Sequence, residues 1–159
     1  LCRGVPTNQT LHSIYWPLDQ KSQNPSEPDY ESSGILFATP IIPMKAESIT
    51  KAMEITQSVA SDFNFTPAIT LNMIHDQCLE GVISIDFSKA DPSQKKRAHQ
   101  CIRELNKSYL NSGFTPYRAD IDNAKFLLQA NPSLKALSKK LKSVLDPNSI
   151  ISPGRYGIE

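Results

Sequence analysis

Ser112-Gly113-Phe114-Thr115-Pro116-Tyr117-Arg118-Ala119-Asp120 is the stretch on which the fold turns. Ser112-Gly113 reads as the end of a helix. Phe114–Arg118 reads as a short extended segment that leads into the next helix. It sets a phenol hydroxyl, Tyr117, beside a guanidinium, Arg118. The phenol is a donor and the guanidinium a permanently charged fork of donors, so the pair suits an anion. From the residues alone, a structural ion pair or a packed strand end is the commoner outcome. If Phe114–Arg118 is a strand, the upstream residues build the rest of its sheet.

Upstream, Gly34 opens the ordered part. Ile35–Ile42 is a short apolar run bounded by Gly34 and Pro43, hence a buried strand. A helix follows over Ala46–Phe63, with Ile49, Met53, Val59 and Phe63 near one stripe. Pro67–Ile74 alternates as a second strand, with Ile69, Leu71 and Met73 on one side and Thr70 and Asn72 on the other. His75-Asp76-Gln77 is a turn, and Cys78 falls in the same turn region. Gly81–Ser88 is the third strand, with Ile83, Ile85 and Phe87 against Ser84 and Asp86. Asp91-Pro92 supplies an N-cap acid and a proline at the first helical position. The helix they start carries Ala98, Cys101, Ile102, Leu105 and Tyr109 on one face and ends at Gly113.

With Phe114–Arg118 as the fourth strand, the order is β-α-β-β-α-β. This is an α+β class, a ferredoxin-like antiparallel sheet with its helices on one face. Two helical stretches follow, Asp120–Ala130 with Ile121, Ala124 and Leu128, and Ser133–Leu145 with Leu134, Leu137, Leu141 and Val144. Lys135, Lys139, Lys140 and Lys142 read as a solvated helix face, without the aromatic groups that single-strand binding uses. The organisation expected is thus a lead-in over 1–33, a core over 34–118, helices over 119–145 and a tail over 146–159. In the lead-in, Tyr15 and Trp16 read as packing groups and His12, like His99 later, as structural.

The bulk composition narrows the class. A chain of 159 residues carries one domain with a real core. A net charge of +1 favours neither nucleic acid nor an anionic membrane. No apolar run approaches the roughly 20 residues of a membrane span. The start, Leu1-Cys2-Arg3-Gly4, has neither an initiator Met nor a signal-peptide layout, so the chain reads as a piece of something longer, expected to be soluble and cytoplasmic rather than periplasmic, with no targeting segment to fix the compartment. Cys2, Cys78 and Cys101 are too few and scattered for a disulfide framework or a zinc site, and no metal is expected. The sequons at Asn8, Asn64 and Asn106 carry little weight alone. His75 beside Asp76 is either an acid–base pair or a turn histidine with a local acid.

The tail, Leu145-Asp146-Pro147-Asn148-Ser149-Ile150-Ile151-Ser152-Pro153-Gly154-Arg155-Tyr156-Gly157-Ile158, resembles the C-terminal signature of FAD-linked oxidases of the vanillyl-alcohol oxidase and p-cresol methylhydroxylase family. Pro116-Tyr117-Arg118 is similar to the family's Tyr-Arg pair, at a similar distance before the tail. Gly4-Val5-Pro6-Thr7, with Leu11 and Tyr15-Trp16, is similar to the lead into its cap, or substrate, domain.

The resemblance implies a cap-domain fragment of an FAD-dependent oxidoreductase acting on a para-substituted phenol or related alcohol. FAD would be held mostly by an N-terminal domain absent from this chain. It implies phenolate binding by Tyr117 and Arg118, and a flavin contact for Arg155, whose plain alternative is an exposed tail charge. Some members attach FAD through a His or Tyr that aligns near Gly34–Phe37. Those residues offer neither, which points to noncovalent FAD. The family also places acids or His near the second and third strands, and Asn72, His75 and Glu80 are the candidates here. The competing class is a free-standing ferredoxin-like module that binds a small molecule or regulates without redox activity; a homodimer is open in either case.

Overall fold

The computed structural model describes residues 33–118, 124, 128, 131–155 and 158. Strand β1 spans Ser33–Ala38, β2 Ile41–Pro43, helix α1 Ala46–Asp62, β3 Ala68–His75, β4 Cys78–Ser88, α2 Pro92–Asn111 and α3 Pro132–Leu145. β4 is the central strand, with β1 and β2 antiparallel along one side and β3 antiparallel along the other.

β1 and β2 are one line of chain in one register: Ala38 faces Ile83 and Ile41 faces Glu80. The break between them has a chemical cause. The Gly81 amide donates to the Pro40 carbonyl at 2.9 Å, but Pro40 has no N–H to return the bond. The Ile35–Ile42 run is therefore a strand as read, interrupted at one proline.

The last strand is shorter than Phe114–Arg118. It is a single bridge, Pro40 opposite Pro116, with Ile41 N donating to Thr115 O at 2.8 Å and Tyr117 N to Thr39 O at 2.7 Å. Both ends are otherwise engaged. The Phe114 amide still closes α2, donating to Tyr109 O at 2.8 Å, and the Arg118 amide donates to the Thr39 hydroxyl at 3.3 Å. The order around β4 is nonetheless that of the ferredoxin-like sheet. Cys78 is the first residue of β4, paired with His75 and Pro43, and not part of the turn.

One face of the sheet is closed. Ala38, Ile42, Ile83, Ile85 and Phe87 join Ala52, Ala60, Ala98, Cys101, Ile102, Leu105 and Tyr109 of the helices in one core. The innermost stripe of α1 is Ala52, Thr56 and Ala60, small groups four apart on one helix face. The larger Ile49, Met53, Val59 and Phe63 that mark the helix in the sequence are partly buried and pack against that core. The Thr56 hydroxyl bonds the Ala52 carbonyl at 2.7 Å and the Tyr109 hydroxyl at 2.5 Å, so both buried polar groups are satisfied. Gly34 lies under Phe87. A Cβ there would fall 2.5 Å from the ring, so only glycine admits the Phe87 ring this close to β1.

The helix ends follow the sequence. Asp91 accepts from the Ser93 and Gln94 amides at 2.9 and 3.1 Å, Pro92 opens α2, and Gly113 follows it at a φ of 84°. Asn131 caps α3 through Leu134 N at 3.1 Å. The apolar period of α3 is present, yet none of its residues is buried. Ala124 and Leu128 are helical and buried. The rest of the helix expected over 120–130, Ile121 included, lies outside the described residues. So does the lead-in over 1–32, with Cys2, Asn8, His12, Tyr15 and Trp16. Among the described residues no helix is long and apolar enough to cross a membrane.

Candidate functional site

The face of the sheet away from α1 and α2 carries Ile35, Phe37, Thr39 and Ile41 from the first strand line, Glu80, Val82, Ser84 and Asp86 from β4, and Thr70 and Asn72 from β3. This assignment follows from the two-residue period of a strand. The single-bridge fourth strand leaves the β1 edge open past Thr39. A cavity of about 720 Å³ occupies that place, lined by Ile35, Leu36, Phe37, Val82, Asn106 and Glu80, with Thr39, Tyr117 and Arg118.

The structure thus brings Tyr117 and Arg118 together at one cavity. The Arg118 guanidinium lies 5.3 Å from the centre of the Tyr117 ring, within cation–π range. Thr39 holds the pair at the sheet edge, through its carbonyl to Tyr117 and its hydroxyl to Arg118. Both residues are exposed, and no acid among the described residues pairs with Arg118. The structural ion pair weighed for this position is therefore not what the described residues form.

Glu80 lines the same cavity and accepts from the Asn72 amide at 3.4 Å across the β3–β4 pair. Of the three candidates on these strands, Asn72 and Glu80 come together there. His75 does not. It sits at the hairpin end, its Nδ1 in contact with the Asp76 carboxylate, with both side chains exposed. His99 packs beside Phe87, ring centres 6.3 Å apart, as a structural residue. The Cys101 thiol is pushed up to about 11 by burial, which makes it an inert core group. Asn106 is buried in α2 and lines the cavity from the helix side, so its sequon is a packing residue. No group of three metal-ligating side chains occurs among the described residues.

The tail signature has a local physical meaning. The buried Asp146 carboxylate accepts from the Ile150 and Ile151 amides, each at 2.9 Å, and from the Lys142 ammonium. Lys142, together with these two amides, holds that carboxyl below the ordinary aspartate range. Lys142 is thus not part of a solvated face with Lys139 and Lys140: it ties the end of α3 to the tail. Arg155 follows on an exposed turn, its amide donating to Ser152 O at 3.2 Å. It is not among the residues that line the Tyr117–Arg118 cavity.

Sequence reading missed Asp86. Its side chain is 8 % exposed on the face away from the helices, and its Oδ1 is buried with no hydrogen-bond partner. Burial pushes its carboxyl up to about 6. Strand alternation marks it as a polar residue opposite the core, which normally means a solvated one, and nothing local signals its burial.

No family model matches the chain. The chain is 26% identical over 153 residues to the 1'-carboxy-chondrochloren decarboxylase of Chondromyces crocatus, covering 96% of this chain and 28% of that protein. It is 32% identical over 79 residues to the 4-cresol dehydrogenase [hydroxylating] flavoprotein subunit of Pseudomonas putida, 49% of this chain and 15% of the relative. Among solved structures it resembles the 4-ethylphenol oxidase of Gulosibacter chungangensis, with a TM-score of 0.74 at 23% identity over 84% of this chain and 26% of that one. A p-cresol methylhydroxylase with substrate bound gives the same TM-score of 0.74 and identity of 23%, over 79% of this chain and 24% of that one. The chain therefore spans little more than a quarter of the length of its relatives, or less. Sequence and fold together support the resemblance carried by the tail and the Tyr-Arg pair: the chain is similar to the cap-domain part of flavoproteins of the vanillyl-alcohol oxidase and p-cresol methylhydroxylase kind.

Proposed function

We propose that this chain is the substrate-side part of an FAD-dependent oxidoreductase that oxidises a para-substituted phenol or a related alcohol. The observation that carries the reading is the cavity shared by Tyr117, Arg118 and Glu80 at the β1 edge of the sheet, reached by Asn106 from the helix side. A guanidinium without an acid partner among the described residues, beside a phenol donor, is suited to a phenolate oxygen. Charge-assisted bonds to that oxygen hold the substrate ionised and raise electron density at its para carbon. Ile35, Phe37 and Val82 offer the ring a flat apolar wall.

The same residues fit a flat conjugated cofactor laid over an apolar sheet face. FAD, held mostly by an N-terminal FAD-binding domain, would supply the hydride acceptor at the para side chain. Arg155 would meet negative charge on that cofactor. The core over 34–118 is the cap, and the tail over 146–159 returns toward the FAD-binding domain. Asp146 gives that tail a fixed exit from α3.

FAD is bound noncovalently in this reading, because Gly34–Phe37 offers no His or Tyr. Acid precipitation of the flavin-loaded protein should then leave the yellow colour in solution; colour in the pellet would reject that part. The decisive test is Arg118→Ala, which should lower turnover of a para-alkyl phenol by about 100-fold or more, as loss of one oxyanion donor does. A near-normal rate would remove the phenolate clamp.

A further inference from the structure

We propose that Asp86 is the proton-exchanging group of this site, serving the para end of the ligand remote from Tyr117 and Arg118. The proposal rests on the functional reading above and adds the base which that reading lacks. Four observations carry it.

Asp86 stands on the face of β4 away from the helices, directly across from Ile35; Ile35 lines the cavity, and Asp86 lies next to that lining rather than in it. It is nine-tenths buried, and its Oδ1 has no partner. Burying an unpaired carboxyl opposes folding, so packing alone does not account for the residue. The strand residues facing it within two positions are Ser33, Ile35 and Phe37 on the β1 side, Ser84 and Ser88 on β4, and Ala68 on β3. None is charged, so desolvation alone sets its proton affinity, and the carboxyl changes state near neutral pH, where a base is most useful.

The fourth observation is the spacing. Tyr117 and Arg118 are anchored at Thr39, and Asp86 is level with Ile35. Four strand residues separate the two levels, about 13 Å. That is the span of a phenolate hydrogen bond, an aromatic ring, its para benzylic carbon, a water and a hydrogen bond to a carboxylate laid end to end. Glu80 pairs with Ile41, at the clamp's own end, and lies beside the phenolate rather than across from it.

The step is balanced as follows. Once the benzylic carbon of the para substituent has lost its hydride to the flavin of the functional reading, the ligand is a quinone methide. A water oxygen bonds to that exocyclic carbon, the water proton passes to the Asp86 carboxylate, and the methide electron pair returns to the ring. The phenolate held by Tyr117 and Arg118 is restored.

The test uses the flavin-loaded protein, 4-cresol and two variants, Asp86→Asn and Glu80→Gln. Flavin reduction should stay within about threefold of the parent in Asp86→Asn, while formation of the benzylic alcohol falls by about 100-fold and loses its inflection near pH 6. Glu80→Gln should keep that inflection. The proposal is overturned if Asp86→Asn retains the inflection, if Glu80→Gln is the variant that loses it, or if flavin reduction and alcohol formation fall together. A parent whose flavin 4-cresol does not reduce removes the functional reading and this assignment together; the other failures remove Asp86 alone. A measurement independent of turnover is the carboxyl-carbon NMR titration of Asp86 in the ligand-free protein. A midpoint near 6 is expected, and one near the ordinary aspartate value of about 3.9 overturns the proposal.

Discussion

The two faces of β4 are built on opposite rules. Ile83, Ile85 and Phe87 point into the helices and are almost fully buried. Thr56 and Tyr109, the polar side chains buried against them from the helices, bond each other. On the other face the same strand carries Glu80, Val82, Ser84 and Asp86, lines an open cavity and holds an unpartnered acid. One face stabilises the fold; the other leaves the Asp86 carboxyl incompletely satisfied, and such groups are usually found where binding and chemistry occur.

The largest expected effect comes from a pair of truncations, one on each face. Ile85→Ala removes a fully buried side chain between sheet and helices and should cost about 2–5 kcal/mol. Val82→Ala, on the cavity face, should cost less than about 1 kcal/mol and instead weaken ligand binding. Urea unfolding of both variants checks this. Equal costs would mean that the cavity face is as closely packed as the core.

Much of this division is legible in the sequence, and the exceptions have physical causes. Alternation at Ile83, Ile85 and Phe87 places the core side of β4, and Asp91-Pro92 and Gly113 place the ends of α2. The small stripe of α1 is not legible. Ala52, Thr56 and Ala60 make close approach possible, while hydrophobicity points to the larger Ile49, Met53 and Val59 beside them. The short fourth strand is hidden because its limits are set by hydrogen bonds already taken, Phe114 by α2 and Arg118 by Thr39. Asp146 reads in the sequence only as part of a family signature, whereas in the structure it binds two tail amides and Lys142 together. Asp86 is invisible as a site because strand period gives the face of a residue but not whether that face is wet.

Asp86 also sharpens the comparison through stability, in the direction opposite to Ile85. Its folded-state carboxyl lies near 6, above the ordinary value of 3.8. The folded protein therefore holds that proton more tightly than the unfolded chain does. The stabilisation from this linkage is complete below about pH 4 and is lost as pH rises through 6. A shift of this size corresponds to at most about 3 kcal/mol by pH 8. Asp86→Asn removes the titration but leaves a buried amide whose own unsatisfied groups cost about 1–3 kcal/mol. The variant should match or fall below the parent at pH 4, gain on it between about pH 4 and pH 6, and hold that gain to pH 8. The quantity to measure is the change in that difference, by urea unfolding of both proteins at each pH. A difference that stays constant would mean that bulk water solvates the Asp86 carboxyl as it does a surface acid, and that this face of β4 is no more strained than an ordinary solvated sheet.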